Sequence, residues 1–437
     1  MSLLSFPNEI LYLIAKNLKA KDLSSLLRTN SFFAALAAPL LQNILVQDKD
    51  DVPVLCWAAG KGYRKWCHLL LEKKLHDVNT TPAGTGLTPL HEAAKSGHES
   101  VLDLLLQRGA IVNALDIKEE TPLHHAAKNG QKGAAHLLLL NHADVDPMNH
   151  NLKTPLFKAI GRLVKAGYTR ESPEDAVVSP GSRETVILLL KCGANVFHRN
   201  IYGENALHQA SGQRSLSVLK LILELGGSAN LEARENRGNT ALHMAVIYGQ
   251  DEVVKLLLGG GANINARNME GDTPLHLAVE WRREAVLETL VDAGVDVNAL
   301  NSRRYTALSL AVYRGYERMV VKILEAEPCF DSCCNAAALY FAVENGRGEV
   351  VDMLLEGGAQ ICMNLLWRPR NRTVLHLAVQ RGYFEIAKSL LRNGADTGIP
   401  DLNNKCAFCA ALENGSEDLI DLFTSNAARC KQCSALS

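Results

Sequence analysis

The sequence predicts an all-α fold: about eleven short helix pairs stacked as a solenoid, preceded by a small unit of three helices. Three observations predict it. One heptapeptide recurs down the chain, most often at intervals of 33 residues, and self-similarity at such a period marks a stack of identical supersecondary units. A Leu-rich run follows most copies at a similar distance, giving each unit a second helix. Aromatic residues make up only 5% of the chain, so the core is built mainly from Ala and Leu, whose modest size lets helix backbones approach closely.

Composition narrows the function. The chain has 437 residues, 47% hydrophobic and 21% charged, which fits a folded globular protein and on size alone suggests about two to four domains. Its formal net charge is -1, which removes the whole-chain electrostatic argument for nucleic acid or an anionic membrane. No apolar window is long enough for a transmembrane helix. The N-terminal apolar stretch contains Glu9 and lacks a small-residue cleavage site, so it does not read as a secretory signal. Eleven scattered cysteines, an odd number, suit thiols in a reducing compartment, and the expected location is cytoplasmic, nuclear or both.

The repeat starts are near residues 53, 88, 121, 154, 205, 240, 273, 306, 337, 373 and 406. Clear copies include TPLHEAA at 88, TPLHHAA at 121, TPLHLAV at 273 and TVLHLAV at 373; PVLCWAA at 53, AALYFAV at 337 and CAFCAAL at 406 are weaker. Thr is a helix N-cap whose hydroxyl accepts an orphan amide, and Pro follows where its missing N–H is harmless. Leu and Ala then form a buried stripe, and Gly97, Gly130, Gly249 or Gly315 ends the helix. The second helix carries runs such as ESVLDLLLQ (99–107), and the polar segment before the next Thr suits a projecting hairpin.

The T-P-L-H, Gly and L-L-L-x-x-G-A signatures resemble the ankyrin repeat over about residues 50–428. The resemblance implies a solenoid in which neighbours bury what one pair cannot, and a concave face of hairpin tips and first helices that holds other proteins. Six of the fourteen His residues (His91, His124, His208, His243, His276 and His376) fall at the fourth heptapeptide position, which makes them structural rather than catalytic. One interval is 18 residues too long, and the excess at 163–182, with Pro173, Pro180, Gly167 and Gly181, reads as a surface loop. Ser172 and Ser179 each precede Pro there, as proline-directed kinases require, although a tolerated insertion explains the segment as well.

Residues 1–47 do not carry the repeat, but they keep helical periodicity. Their order resembles an F-box: SFPNEILYLIAKNL matches that family's L-P-x-E-I-L-x-x-I-x-x-x-L, and KDLSSLLRTNSFFAALAAPLL its later D-L-x-x-L and L-x-x-P-x-L. Phe6 and Thr29-Asn30 depart from the pattern. The resemblance implies docking on the Skp-type linker protein of a cullin ubiquitin ligase through Pro7, Ile10, Leu11, Ile14, Leu18, Leu23, Leu26 and Pro39. The alternative is a helical cap on the end of the solenoid. Residues 429–437 form a tail.

Catalytic signatures are missing. There is no phosphate-binding G-x-x-x-x-G-K, no second His after His91-Glu92 at zinc-protease spacing, and no G-x-S-x-G elbow. The nearest approach to a metal motif is Cys406-x2-Cys409 with Cys430-x2-Cys433, but the repeat already accounts for the first pair, so no cofactor is expected. Interface-type residues gather in the later repeats. Arg237, Glu270, Arg303 and Arg370 stand three residues before their heptapeptides; Arg304, Tyr305, Trp367 and Arg368 flank such tips; Trp281 and Arg282 end a first helix. The functional expectation is a non-catalytic substrate adaptor of a Skp/cullin/F-box ligase, whose repeats hold a target of acidic character; the alternative is an ankyrin scaffold or inhibitor.

Overall fold

The computed structural model describes residues 53–72, 77–82, 84–161, 180–213, 216–224, 230–330, 335–368 and 371–425. The chain divides into two units, Met1–Asn230 and Leu231–Ser437. Among the described residues, apart from 3-10 turns, the regular elements are α-helices, and the one backbone bridge joins Trp367 and Arg372.

The first unit holds α1 (Val54–Gly60), α2 (Arg64–Glu72), α3 (Pro89–Ser96), α4 (Glu99–Gln107), α5 (Pro122–Lys128), α6 (Lys132–Leu140), α7 (Pro155–Ile160), α8 (Pro180–Lys191), α9 (Ala206–Ser211) and α10 (Leu216–Glu224). The second holds α11 (Ala241–Ile247), α12 (Asp251–Gly259), α13 (Pro274–Glu280), α14 (Glu284–Asp292), α15 (Ala307–Arg314), α16 (Glu317–Leu324), α17 (Ala336–Glu344), α18 (Gly348–Glu356), α19 (Val374–Arg381), α20 (Phe384–Arg392), α21 (Ala407–Asn414) and α22 (Glu417–Ser425). Within each unit the odd-numbered helices pack on one another in sequence and the even-numbered helices do the same, which is the two-layered order of a helix-pair solenoid.

The heptapeptide explains the packing. Its third residue, Leu in ten repeats, is at most 1% exposed in all ten, as at Leu90, Leu156, Leu275 and Leu375. Each such burial contributes about 2 kcal/mol. Its sixth residue is always Ala and is 0% exposed from Ala58 to Ala411, which is how neighbouring first helices come so close.

A hydrogen-bond ladder runs beside this stripe. In the Thr-capped repeats that carry His, the imidazole Nδ1 accepts the cap amide, as at Thr88 to His91 (3.1 Å) and Thr273 to His276 (3.2 Å). Nε2 must then carry the proton, and it donates to a carbonyl 29 residues on: His91 to Glu120, His124 to Lys153, His243 to Asp272, His276 to Tyr305 and His376 to Lys405, at 2.9–3.2 Å. The ring works only when neutral, and burial holds His91, His124 and His243 down to about 4.

The segments before the Thr caps are short hairpin turns, and the one before Thr373 carries an antiparallel bridge between Trp367 and Arg372. Before Thr121, Thr154, Thr240, Thr273 and Thr306 an N–H to C=O bond closes the turn over four residues, as in Asn268 to Asp272 (3.0 Å) and Asn301 to Tyr305 (2.9 Å), and the Asn301 side chain accepts two further amides. One boundary moves: the expected loop at 163–182 ends earlier, because Pro180 opens α8, and proline suits a first helical position. Residues 162–179 lie outside the described residues.

Candidate protein-interaction face

First helices and the turns before them share one face of each unit, and the fifth heptapeptide residue occupies it. In the first unit four successive repeats place Glu92, His125, Lys158 and Gln209 there; in the second, the first five place Met244, Leu277, Leu310, Phe341 and Leu377. One backbone position thus carries two chemistries.

The polar version is closed on itself. His125 Nε2 meets Asp116 Oδ2 at 2.9 Å and lies 3.8 Å from Glu120. The Lys158 ammonium contacts Glu120 Oε1, and Asn149 donates to the same oxygen at 2.9 Å. Burial alone would push the Asp116 carboxyl up, but the Glu120 and Lys118 amides and His125 outweigh it and hold the group below the usual carboxylate range. Glu120 is likewise held down against burial by Lys158 and Asn149. Asp116, Glu120 and His125 stand close enough to share a cation, with ligand atoms within 4.8 Å. Lys158 already supplies one positive charge to that cluster, so the geometry serves as a structural network.

The apolar version carries an aromatic cluster, whereas the first unit has a Phe, Tyr or Trp ring at this position only in its first repeat, Trp57. Phe341 touches Tyr305 (5.5 Å between centroids), Tyr313 (5.2 Å) and Tyr340 (5.9 Å), and Tyr340 lies on Trp367 at 4.8 Å. Five rings from three successive repeats thereby form one cluster. It sits where the ladder is interrupted. Ser309 and Tyr340 stand at the histidine position of α15 and α17, and Tyr340 turns its hydroxyl to Glu344 (3.4 Å). Tyr313 remains 55% exposed and Trp281, at the end of α13, 52%.

Of the residues the sequence singled out, Tyr305 and Trp367 join this cluster. Arg303 and Arg304 occupy the exposed turn beside Tyr305, and Arg368 is exposed beside Trp367. Arg282 instead reaches over Tyr316 (5.3 Å) and towards Glu284 (3.7 Å), while Arg237 occupies the exposed tip of an earlier turn. Arg370, Cys430 and Cys433 lie outside the described residues, as do Pro7, Ile10, Leu11, Ile14, Leu18, Leu23, Leu26 and Pro39.

Sequence reasoning missed Tyr313, Tyr340 and Phe341. The signal was present in AALYFAV, the copy that loses both Thr and His and gains two rings. Arg304 has φ 61, the left-handed region that Gly238 and Gly271 occupy at the same turn position; Glu119, Leu152, Asn371 and Asn404 share it in other repeats, so it belongs to the turn rather than to this face. A non-glycine residue held there costs about 1 kcal/mol.

Comparison with known proteins supports the repeat reading. Models described as "Ankyrin repeats (3 copies)" match residues 175–268, 236–301 and 289–365. "Ankyrin repeats (many copies)" matches 55–106 and 90–139, and "Ankyrin repeat" matches 370–402. These matches begin at residue 55, so the F-box resemblance of residues 1–47 rests on its own motif. The chain is similar to the B-cell lymphoma 3 protein homolog of Mus musculus, 31% identical over 60% of this chain and 43% of that protein. It is also similar to inversin of Danio rerio, 40% identical over 20% of this chain and 9% of that protein. The matches thus span less than half the length of either relative. Among the described residues no helix is long and apolar enough to cross a membrane.

Proposed function

The chain belongs to the ankyrin-repeat family, and on that premise we propose that it is a non-catalytic protein-binding protein whose second unit holds an acidic segment of its partner. The observation that carries this reading is the five-ring cluster around Phe341, flanked by exposed Arg303, Arg304 and Arg368. Rings present large contact area at small entropic cost, and arginine pairs with carboxylates in two-point contacts. Selection of a random-peptide display library on the full chain tests it. Enrichment of Asp/Glu-rich peptides that Arg303→Glu with Arg304→Glu no longer retains is the expected result. Peptides of neutral or basic composition, or retention unaffected by the two reversals, would refute it.

The finer reading is that residues 1–47 dock on a Skp-type linker protein and make the chain the substrate adaptor of a cullin ubiquitin ligase. Its support is the F-box-like order of residues around Pro7, Ile10 and Leu11 and their place ahead of protein-binding repeats. In that arrangement the chain contributes proximity, raising the effective concentration of target lysines near the conjugating enzyme. The site of action would be cytoplasmic, nuclear or both. Co-purification with the linker protein that Ile10→Ala with Leu11→Ala abolishes, while helical content is kept, is expected. An intact chain that fails to bind the linker leaves the scaffold reading in its place.

A further inference from the structure

The last repeat replaces the ladder's cap with sulfur. Cys406 is the N-cap of α21 and Cys409 stands three residues on, in the positions that Thr373 and His376 fill one repeat earlier. There the hydroxyl and imidazole lie 2.8 Å apart; here the two Sγ atoms lie 3.4 Å apart. The preceding histidine anchors the segment, because His376 Nε2 donates to the Lys405 carbonyl at 3.1 Å. The sulfurs therefore face each other across the first turn of α21, already in van der Waals contact.

We propose that Cys406 and Cys409 form a reversible intramolecular disulfide by exchange with a small dialkyl disulfide such as oxidised glutathione. Cys409, the more accessible of the two, attacks as thiolate one sulfur of the small disulfide and releases one thiol. Cys406, 1% exposed, then attacks the Cys409 sulfur of the mixed disulfide and releases the second thiol. Two protein thiols and one small disulfide become one protein disulfide and two small thiols, so atoms, protons and electrons balance. The open end of α21 favours negative charge beside both sulfurs.

Tryptic cleavage after Lys405 and Arg429 gives one peptide, 406–429, whose only cysteines are these two. After exposure of the full chain to oxidised glutathione, that peptide should be lighter by two hydrogen atoms, and dithiothreitol should restore it. Cys406→Thr should trap glutathione on Cys409. Cys406→Thr with Cys409→His, which rebuilds the usual Thr–His cap, should leave the peptide unmodified, and its circular dichroism serves as the folding control. Glutathione retained on the parent peptide, a link from it to Cys430 or Cys433, or no change while exposed Cys192 and Cys329 are modified, would each overturn the proposal.

Discussion

At the fifth position of the heptapeptide, the first unit sets Glu92, His125 and Lys158 where the second sets Leu277, Leu310 and Phe341. Both sets rest on the same buried Leu and Ala, so the core of the repeat does not choose between them. The difference lies in what completes each surface. The first unit answers its own charges, with Asp116 and His125 paired and Glu120 shared by Lys158 and Asn149. The second gathers rings and leaves arginines exposed at its turns. The frame of a repeat protein and its binding chemistry are thus separable, and one side chain per repeat is enough to separate them.

Acid should affect both units and then tell them apart. His91, His124 and His243 are held to about 4 in the fold against an ordinary 6.5, and His276 and His376 are lowered as well. Above 6.5 these rings are neutral folded or unfolded and add no pH dependence. As pH falls from 6.5 towards 4 the unfolded chain takes up protons first, so stability is lost, on the order of 2 kcal/mol for each of the first three by about pH 5. Within and below the carboxylate range the first unit should lose more, because Asp116 and Glu120 are held down in the fold and their contribution disappears as they protonate. Hydrogen exchange followed down a pH series checks both steps; stability flat between 6.5 and 5 would contradict the neutral-histidine ladder.

Breaking the first unit's network comes next in size. Lys158→Met removes the cation from a carboxylate that is almost fully buried, and a loss of about 3 kcal/mol confined to that unit is expected in denaturant unfolding. Glu120→Gln combined with it should recover much of the loss. Recovery would show that the charge, not the shape of the lysine, was responsible.

Smaller effects sharpen the contrast. Tyr313→Ala should weaken a selected acidic peptide about tenfold, whereas His125→Ala should leave that affinity unchanged, as titration calorimetry would record. Arg304→Gly should raise stability by about 1 kcal/mol by relieving a left-handed arginine. The same change should lower affinity. A gain in both would mean that Arg304 has no binding role.

The repeat frame was legible in the sequence because a cap, a buried Leu and a fully enclosed Ala recur at fixed offsets, and each meets its constraint locally. The candidate face was legible in part. Tyr305 and Trp367 stand beside turns that the heptapeptide locates, but Tyr313, Tyr340 and Phe341 become neighbours only when successive first helices stack. The closed network around Glu120 was not read at all, since its members come from three repeats and only packing brings Lys158 and Asn149 to one carboxylate. Cys406 and Cys409 were visible as a spaced pair, yet their approach to 3.4 Å depends on the helix that begins between them.

Hydrogen–deuterium exchange of the full chain, with and without a display-selected acidic peptide, tests the central claim most directly. The account predicts slowed exchange in the turns at 301–305 and 367–372, with the turn at 116–120 unchanged. Protection at 116–120, or equal protection of both units, would contradict it.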